Sequence, residues 1–169
     1  ALLEVRAGRK ISSGGKTFNT TGWKVGWLCG PAPLVQAART AKQFLTYVAG
    51  GPFQPAIALG LGLPDSFFHG IATDLQAKRD RLLPGLVQAG FTVYPTSGTY
   101  FVTVDIRPLQ PDGDGMAFCR ALPGHCRVVA IPNEVLYANK AAGRHLVRFA
   151  FCKRDDVLDE AVARLRTLG

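Results

Sequence analysis

The chain has 169 residues, enough for one sizeable core or two small lobes, and it is 47% hydrophobic and 19% charged, which excludes a disordered chain. With a mean hydropathy of +0.11 it carries no run of about eighteen apolar residues, so no membrane span is expected. A net charge of +8 raises nucleic-acid binding, but the cations are scattered, and the excess reads more simply as a segment separated from an acidic remainder.

From the N-terminus, residues 5–13 read as the tail of a strand leading into a loop, and 22–30 as a short strand apolar on both faces, as a buried strand would be. Pro31-Ala32-Pro33 opens a helix on which Leu34, Ala38, Ala41, Leu45 and Val48 share one face, and Gly50-Gly51-Pro52 ends it. Residues 54–63 read as a short apolar helix. A long amphipathic helix follows over 66–89, with a kink expected at Pro84 and a stop at Gly90. The domain boundary is placed inside it, giving residues 1–76 and 77–169.

Beyond Gly90 the pattern changes to strands at 91–94 and 100–106, joined by Pro95-Thr96-Ser97-Gly98. A surface loop at 107–115, a short helix at 116–122, a strand at 127–132, a loop at 133–143 and a last strand at 145–152 follow. Asp155 or Asp156 is expected to cap a closing helix with a core stripe of Leu158, Ala161, Val162, Leu165 and Leu168. This order describes an α+β lobe beside an α/β one.

The four cysteines form no Cys-x-x-Cys pair and the three histidines lie far apart, so neither a metal site nor a disulfide framework is expected. Most of the cysteines read as small core residues, and a reducing, cytoplasmic setting fits. Residues 1–6 lack a basic segment followed by an apolar one and do not read as a signal peptide.

Chemistry concentrates between Ser12 and Trp27, where two lysines, four glycines, two tryptophans and a run of hydroxyls occupy one stretch. Glycine lets the backbone approach a ligand closely, and a lysine amine becomes a nucleophile once its pKa is lowered. Hydroxyls beside a second cation suit a phosphate. An amine next to a phosphate cradle is what pyridoxal phosphate chemistry requires.

The run Ser12-Ser13-Gly14-Gly15-Lys16-Thr17-Phe18, continuing through Thr21-Gly22-Trp23-Lys24-Val25-Gly26-Trp27, resembles the cofactor-lysine segment of class I/II aminotransferases. The likeness extends through Pro52-Phe53-Gln54-Pro55-Ala56, Gly98-Thr99-Tyr100-Phe101 and residues 145–153, and so covers essentially the whole chain. It is nearest to kynurenine/glutamine and actinobacterial N-succinyldiaminopimelate aminotransferases. It implies an α/β fold: the C-terminal part of a fold-type I large domain, followed by a small α+β C-terminal domain. The chain does not begin with Met, and family members are longer, so it reads as the C-terminal portion of a longer, homodimeric enzyme. The cofactor implied is pyridoxal 5'-phosphate, with an amino acid and a 2-oxo acid as substrates. A place in lysine biosynthesis is one option, and neither nucleic acid nor membrane is an expected partner.

Under this resemblance Lys16 bonds the cofactor through its amine and then moves the proton between the substrate α-carbon and the cofactor. Ser13 and Lys24 hold the cofactor phosphate, with Ser12 as a rival for Ser13. Arg148, in an alternating apolar strand beside Leu146, Ala150 and Cys152, binds the substrate carboxylate, with a structural ion pair as the competing role. Trp23, Tyr100 and Phe101 either line the site or belong to the core, and His145 is the one histidine near Arg148 in sequence. The family's cofactor-ring aspartate and its aromatic stacking residue lie upstream of this segment, so the chain by itself is expected to be inactive. A cysteine-conjugate C–S β-lyase on the same scaffold, or a non-catalytic basic binding module, are the alternatives.

Overall fold

The computed structural model describes residues 3–5, 9–48 and 50–168. The expectations for the extreme N-terminus and for residues 6–8 of the first strand therefore lie largely outside the described residues. The chain divides into two compact units, Ala1–Ile71 and Ala72–Gly169. The division falls inside the long helix, earlier than the expected position near Ala77.

The first unit is built on a three-stranded antiparallel sheet, β1 (Leu3–Val5), β2 (Arg9–Ser13) and β3 (Gly26–Cys29), in that order. Between β2 and β3 lie a one-turn helix α1 (Gly14–Thr17) and a 3-10 turn (Thr21–Trp23). The segment expected to be one strand over 22–30 is thus a turn followed by a shorter strand. Nor is that strand buried: Trp27 and Leu28 are half-exposed, and Gly26 and Cys29 exposed.

Helix α2 (Ala32–Leu45) starts at the Pro31-Ala32-Pro33 step as expected, and α3 (Phe53–Leu61) follows. The apolar periodicity of α2 is real, yet it buries no residue: Phe44 and Leu45 are 83% and 81% exposed, with Leu34, Tyr47 and Val48 also open. The expected core face is a solvent face in this chain. Periodicity forecasts helix and stripe, but burial requires a neighbour. In α3 only Ile57 is buried.

Helix α4 (Asp65–Gln88) carries the chain into the second unit and is helical throughout, Pro84 included. Proline removes one helical hydrogen bond, and Asp80, whose carbonyl loses that partner, is exposed to water. The helix ends in a Schellman motif at Gly90 (φ +92°): the Gly90 amide donates to Val87 O at 3.0 Å and Phe91 N to Leu86 O at 3.1 Å. Leu86 and Phe91, the apolar pair that accompanies this motif, are both in the core.

The second unit has a four-stranded antiparallel sheet in the order β4 (Thr92–Val93), β5 (Phe101–Asp105), β7 (Leu146–Ala150), β6 (Ile131–Pro132). Helices α5 (Gly115–Cys126) and α7 (Asp155–Leu165) and the end of α4 supply the rest of the core. Strand alternation sorts the side chains. Val102, Val104 and Ile106, with Val147, Phe149 and Phe151, point into the core, each at most 3% exposed. Burying each such side chain contributes about 1.5–3 kcal/mol. Phe101, Thr103, Leu146, Arg148 and Ala150 occupy the opposite, less buried face.

Four local expectations need correction. The strand expected over 127–132 is only two residues long, because Arg127 takes the left-handed C-cap of α5 (φ 57°). The expected loop at 133–143 contains a 3-10 turn (Asn133–Leu136) and a short helix, α6 (Lys140–Gly143). The cap residue of α7 is Arg154, and Asp155 and Asp156 lie in its first turn, where negative charge suits the helix dipole. Cys119 and Cys126 are buried, but Cys29 and Cys152 are exposed. Burial pushes the Cys119 thiol up to about 11, which keeps it unreactive.

Candidate active site

Strands β2 and β3 pair with Ser13 opposite Gly26 and Ser12 opposite Trp27. The twelve residues between them form a closed loop, shut at its neck by a Gly14 N–H bond to Val25 O at 3.1 Å. The strands run close at this point: a Cβ on Gly26 would lie 2.9 Å from Ser12 O, so glycine is required there. Inside the loop the Thr21 hydroxyl donates to Gly15 O at 3.2 Å and Thr20 Oγ1 to Gly14 O at 3.4 Å. These threonines staple the α1 turn to the 3-10 turn.

Aromatic packing anchors the loop beside each lysine. Phe18, two residues after Lys16, stacks with Phe67 (6.2 Å between centroids) and meets Phe68 edge-on. Trp23, directly before Lys24, stacks on Phe53 at 4.7 Å and 17°. Such pairs add about 0.5–1.5 kcal/mol beyond their buried area. Trp23, weighed as a site-lining residue, is thus engaged in packing. Lys24 itself has φ 55° and ψ 38°, the left-handed region that an L-residue enters at a cost.

This framework brings Ser13, Lys16 and Lys24 together around one cavity of about 350 Å³, with Gly15, Thr21, Val25 and Gly26 completing the lining. Strand alternation sends Ser12 and Ser13 to opposite faces, and Ser13 is the one on the cavity. Thr21 and the backbone of Gly15 and Gly26 were not singled out in the sequence; the run of hydroxyls and glycines was their only signal.

Arg148 belongs to the second unit, in the middle of β7, opposite Thr103 and Ile131. Its guanidinium carbon lies 4.7 Å from the centroid of the Phe101 ring, over its face. Among the described residues no carboxylate pairs with it, so the structural ion pair considered for it is not seen there. Its same-face neighbours are not a buried apolar surround: Leu146 is half-buried, and Ala150 and Cys152 are exposed. Tyr100 meets Phe101 edge-on at 5.4 Å.

His145 faces Asp105, with Nε2 3.9 Å from Oδ2. Asp105 is 4% exposed and is gripped by Arg107, whose Nε lies 3.1 and 3.0 Å from the two carboxylate oxygens. The Arg107 backbone N–H adds a bond at 2.9 Å. The Arg107 side-chain hydrogen bonds, opposed by burial and aided by that backbone bond, hold the carboxyl below the usual aspartate range. Nothing in the sequence singled out this cluster. Among the described residues no group of His, Cys, Asp and Glu could hold a metal, and no helix is long and apolar enough to cross a membrane.

Comparison with known proteins gives the family of the chain. The family model "Aminotransferase class I and II" matches residues 9–165. The chain belongs to the class I and II aminotransferases. The family is pyridoxal phosphate-dependent. The chain is 51% identical over 168 residues to a Mycobacterium tuberculosis protein named "Probable N-succinyldiaminopimelate aminotransferase", a match covering 94% of this chain and 42% of that protein. It is 35% identical to the kynurenine–oxoglutarate transaminase of Dictyostelium discoideum, over 89% of this chain and 39% of that one. A solved structure of the M. tuberculosis N-succinyldiaminopimelate aminotransferase superposes with a TM-score of 0.85 at 52% identity, over 94% of this chain and 41% of that chain. The expected α/β fold of fold-type I enzymes is therefore the observed one. The chain spans about two fifths of the length of the relatives it matches.

Proposed function

We propose that this chain is part of a longer, homodimeric, cytoplasmic aminotransferase that moves an amino group from an amino acid to a 2-oxo acid with pyridoxal 5'-phosphate. The observation that carries the reading is the convergence of Lys16, Lys24 and Ser13 on one cavity between β2 and β3. The donor set suits the cofactor: a phosphate dianion takes hydroxyl donors and cationic charge, and Gly15 and Gly26 present backbone with no side chain in the way. The relative at 51% identity favours an N-succinyldiaminopimelate-type substrate.

In this reading Ser13 donates its hydroxyl to the phosphate and Lys24 supplies the neighbouring positive charge. The bound cofactor supplies an electron sink for the substrate α-carbon. Lys16, at the end of the α1 turn, is the base that would take the proton from that carbon and hand it to the cofactor side, so that the amino group leaves the substrate. Arg148 holds the substrate carboxylate with two parallel N–H bonds, which fixes the direction of the Cα–H bond. The stapled loop holds Lys16 and Lys24 at a constant separation during that exchange.

The test is reductive trapping. The intact enzyme, loaded with pyridoxal phosphate and treated with borohydride, is digested and its peptides mapped. Labelling of the peptide at Lys16 is expected. Label on another lysine, or none, overturns the assignment.

A further inference from the structure

We propose that Phe101 is the positioning residue for Arg148, a platform that holds the guanidinium plane while leaving its N–H edge open to a substrate carboxylate. The inference rests on the reading of Arg148 given above. In the β5–β7 register Phe101 pairs with Ala150 and Thr103 with Arg148, so Phe101 is the diagonal neighbour of Arg148 on the same face. Diagonal pairs are within reach of one aromatic and one long side chain. The 4.7 Å approach over the ring realises that contact.

The manner of restraint matters as much as its existence. Arg79, Arg81, Arg107, Arg144, Arg154 and Arg164 each pair with a carboxylate of this chain. Such pairing engages the N–H fork that a substrate carboxylate needs. Among the described residues the Arg148 guanidinium carbon lies instead over the face of the Phe101 ring, and no acid pairs with its donors. A ring face attracts the cation without accepting its in-plane hydrogen bonds. The ring is itself fixed, edge-on against Tyr100 at 83°. Restricting the guanidinium before substrate arrives lowers the ordering cost of binding.

The experiment is a double-mutant cycle in the intact enzyme, read as kcat/KM and KM for the amino donor, with cofactor content measured for each variant. Phe101→Leu is expected to raise KM about fivefold with a smaller change in kcat. Phe101→Tyr, which keeps the ring face, is expected to retain the parent KM. In an Arg148→Gln background Phe101→Leu is expected to add nothing. Phe101→Met replaces the leucine variant if that one does not fold. If Arg148→Gln alone leaves KM unchanged, the carboxylate assignment fails and takes this proposal with it. If Arg148→Gln raises KM but Phe101→Leu is silent, or its effect adds in full to that of Arg148→Gln, only the role of Phe101 is overturned.

Discussion

Lys24 offers a test in which stability and ligand binding should move in opposite directions. Its backbone sits at φ 55° and ψ 38°. An L-residue in that region costs roughly 1–2 kcal/mol, a strain glycine does not feel. Glycine gives back part of the gain through the larger entropy of its unfolded chain, about 0.5–1 kcal/mol. Lys24→Gly should therefore leave the cofactor-free enzyme slightly more stable, by about 0.5–1 kcal/mol. The same change removes a cation from the cavity shared with Ser13 and Lys16. A charge-assisted contact contributes about 1.5–3 kcal/mol, and the exposure of Lys24 argues for the low end. Cofactor affinity should then fall about tenfold. Urea unfolding of the cofactor-free enzyme reads the first quantity, and titration with pyridoxal phosphate followed by absorbance reads the second. A lower urea midpoint would show that the Lys24 conformation is not strained. An unchanged cofactor affinity would remove Lys24 from the phosphate site.

Arg148→Lys should raise KM for the amino donor about tenfold or more while cofactor affinity stays at the parent value, because the fork is lost and the cavity of the first unit is untouched; an unchanged KM would end the carboxylate assignment. A Cβ on Gly85 would lie 2.5 Å from both methyls of Val162 on α7. Overpacking of this kind costs about 1–3 kcal/mol and the gain in helix propensity returns about 1, so Gly85→Ala should destabilise by about 1 kcal/mol. Val162→Ala in the same chain should recover part of that loss in a thermal melt, and simple additivity of the two would contradict the packing. Asp105 has its folded pKa depressed by Arg107, so its stabilising contribution is present above the usual aspartate pKa and is lost as pH falls through the folded value. Thermal melts at about pH 7 and about pH 3 should therefore differ less for Asp105→Asn than for the parent, and an equal difference would refute the linkage.

Helix positions were legible in the sequence wherever the local code is strong. Pro31-Ala32-Pro33 starts α2, Gly90 stops α4, and the Leu158–Leu165 stripe reaches the core. Burial was less legible, since it depends on what packs opposite: the regular stripe of α2 is exposed while that of α7 is not. Strand ends failed for a related reason. Arg127 adopts a left-handed cap that its composition did not announce, and this shortens β6 to two residues.

By itself the order of residues determined the chemical inventory: a lysine among glycines and hydroxyls, a second lysine eight positions on, and an arginine within an apolar strand. Those residue types sit close in sequence or in a period that the backbone enforces, so they are readable in one dimension. Only the tertiary structure decided which of them meet. The β2–β3 register chose Ser13 over Ser12 for the cavity, Trp23 went to Phe53, and the β5–β7 register set Phe101 beneath Arg148. Each of these turns on strand pairing and on contacts between residues distant in the chain, where a shift of one position would send every side chain to the other face.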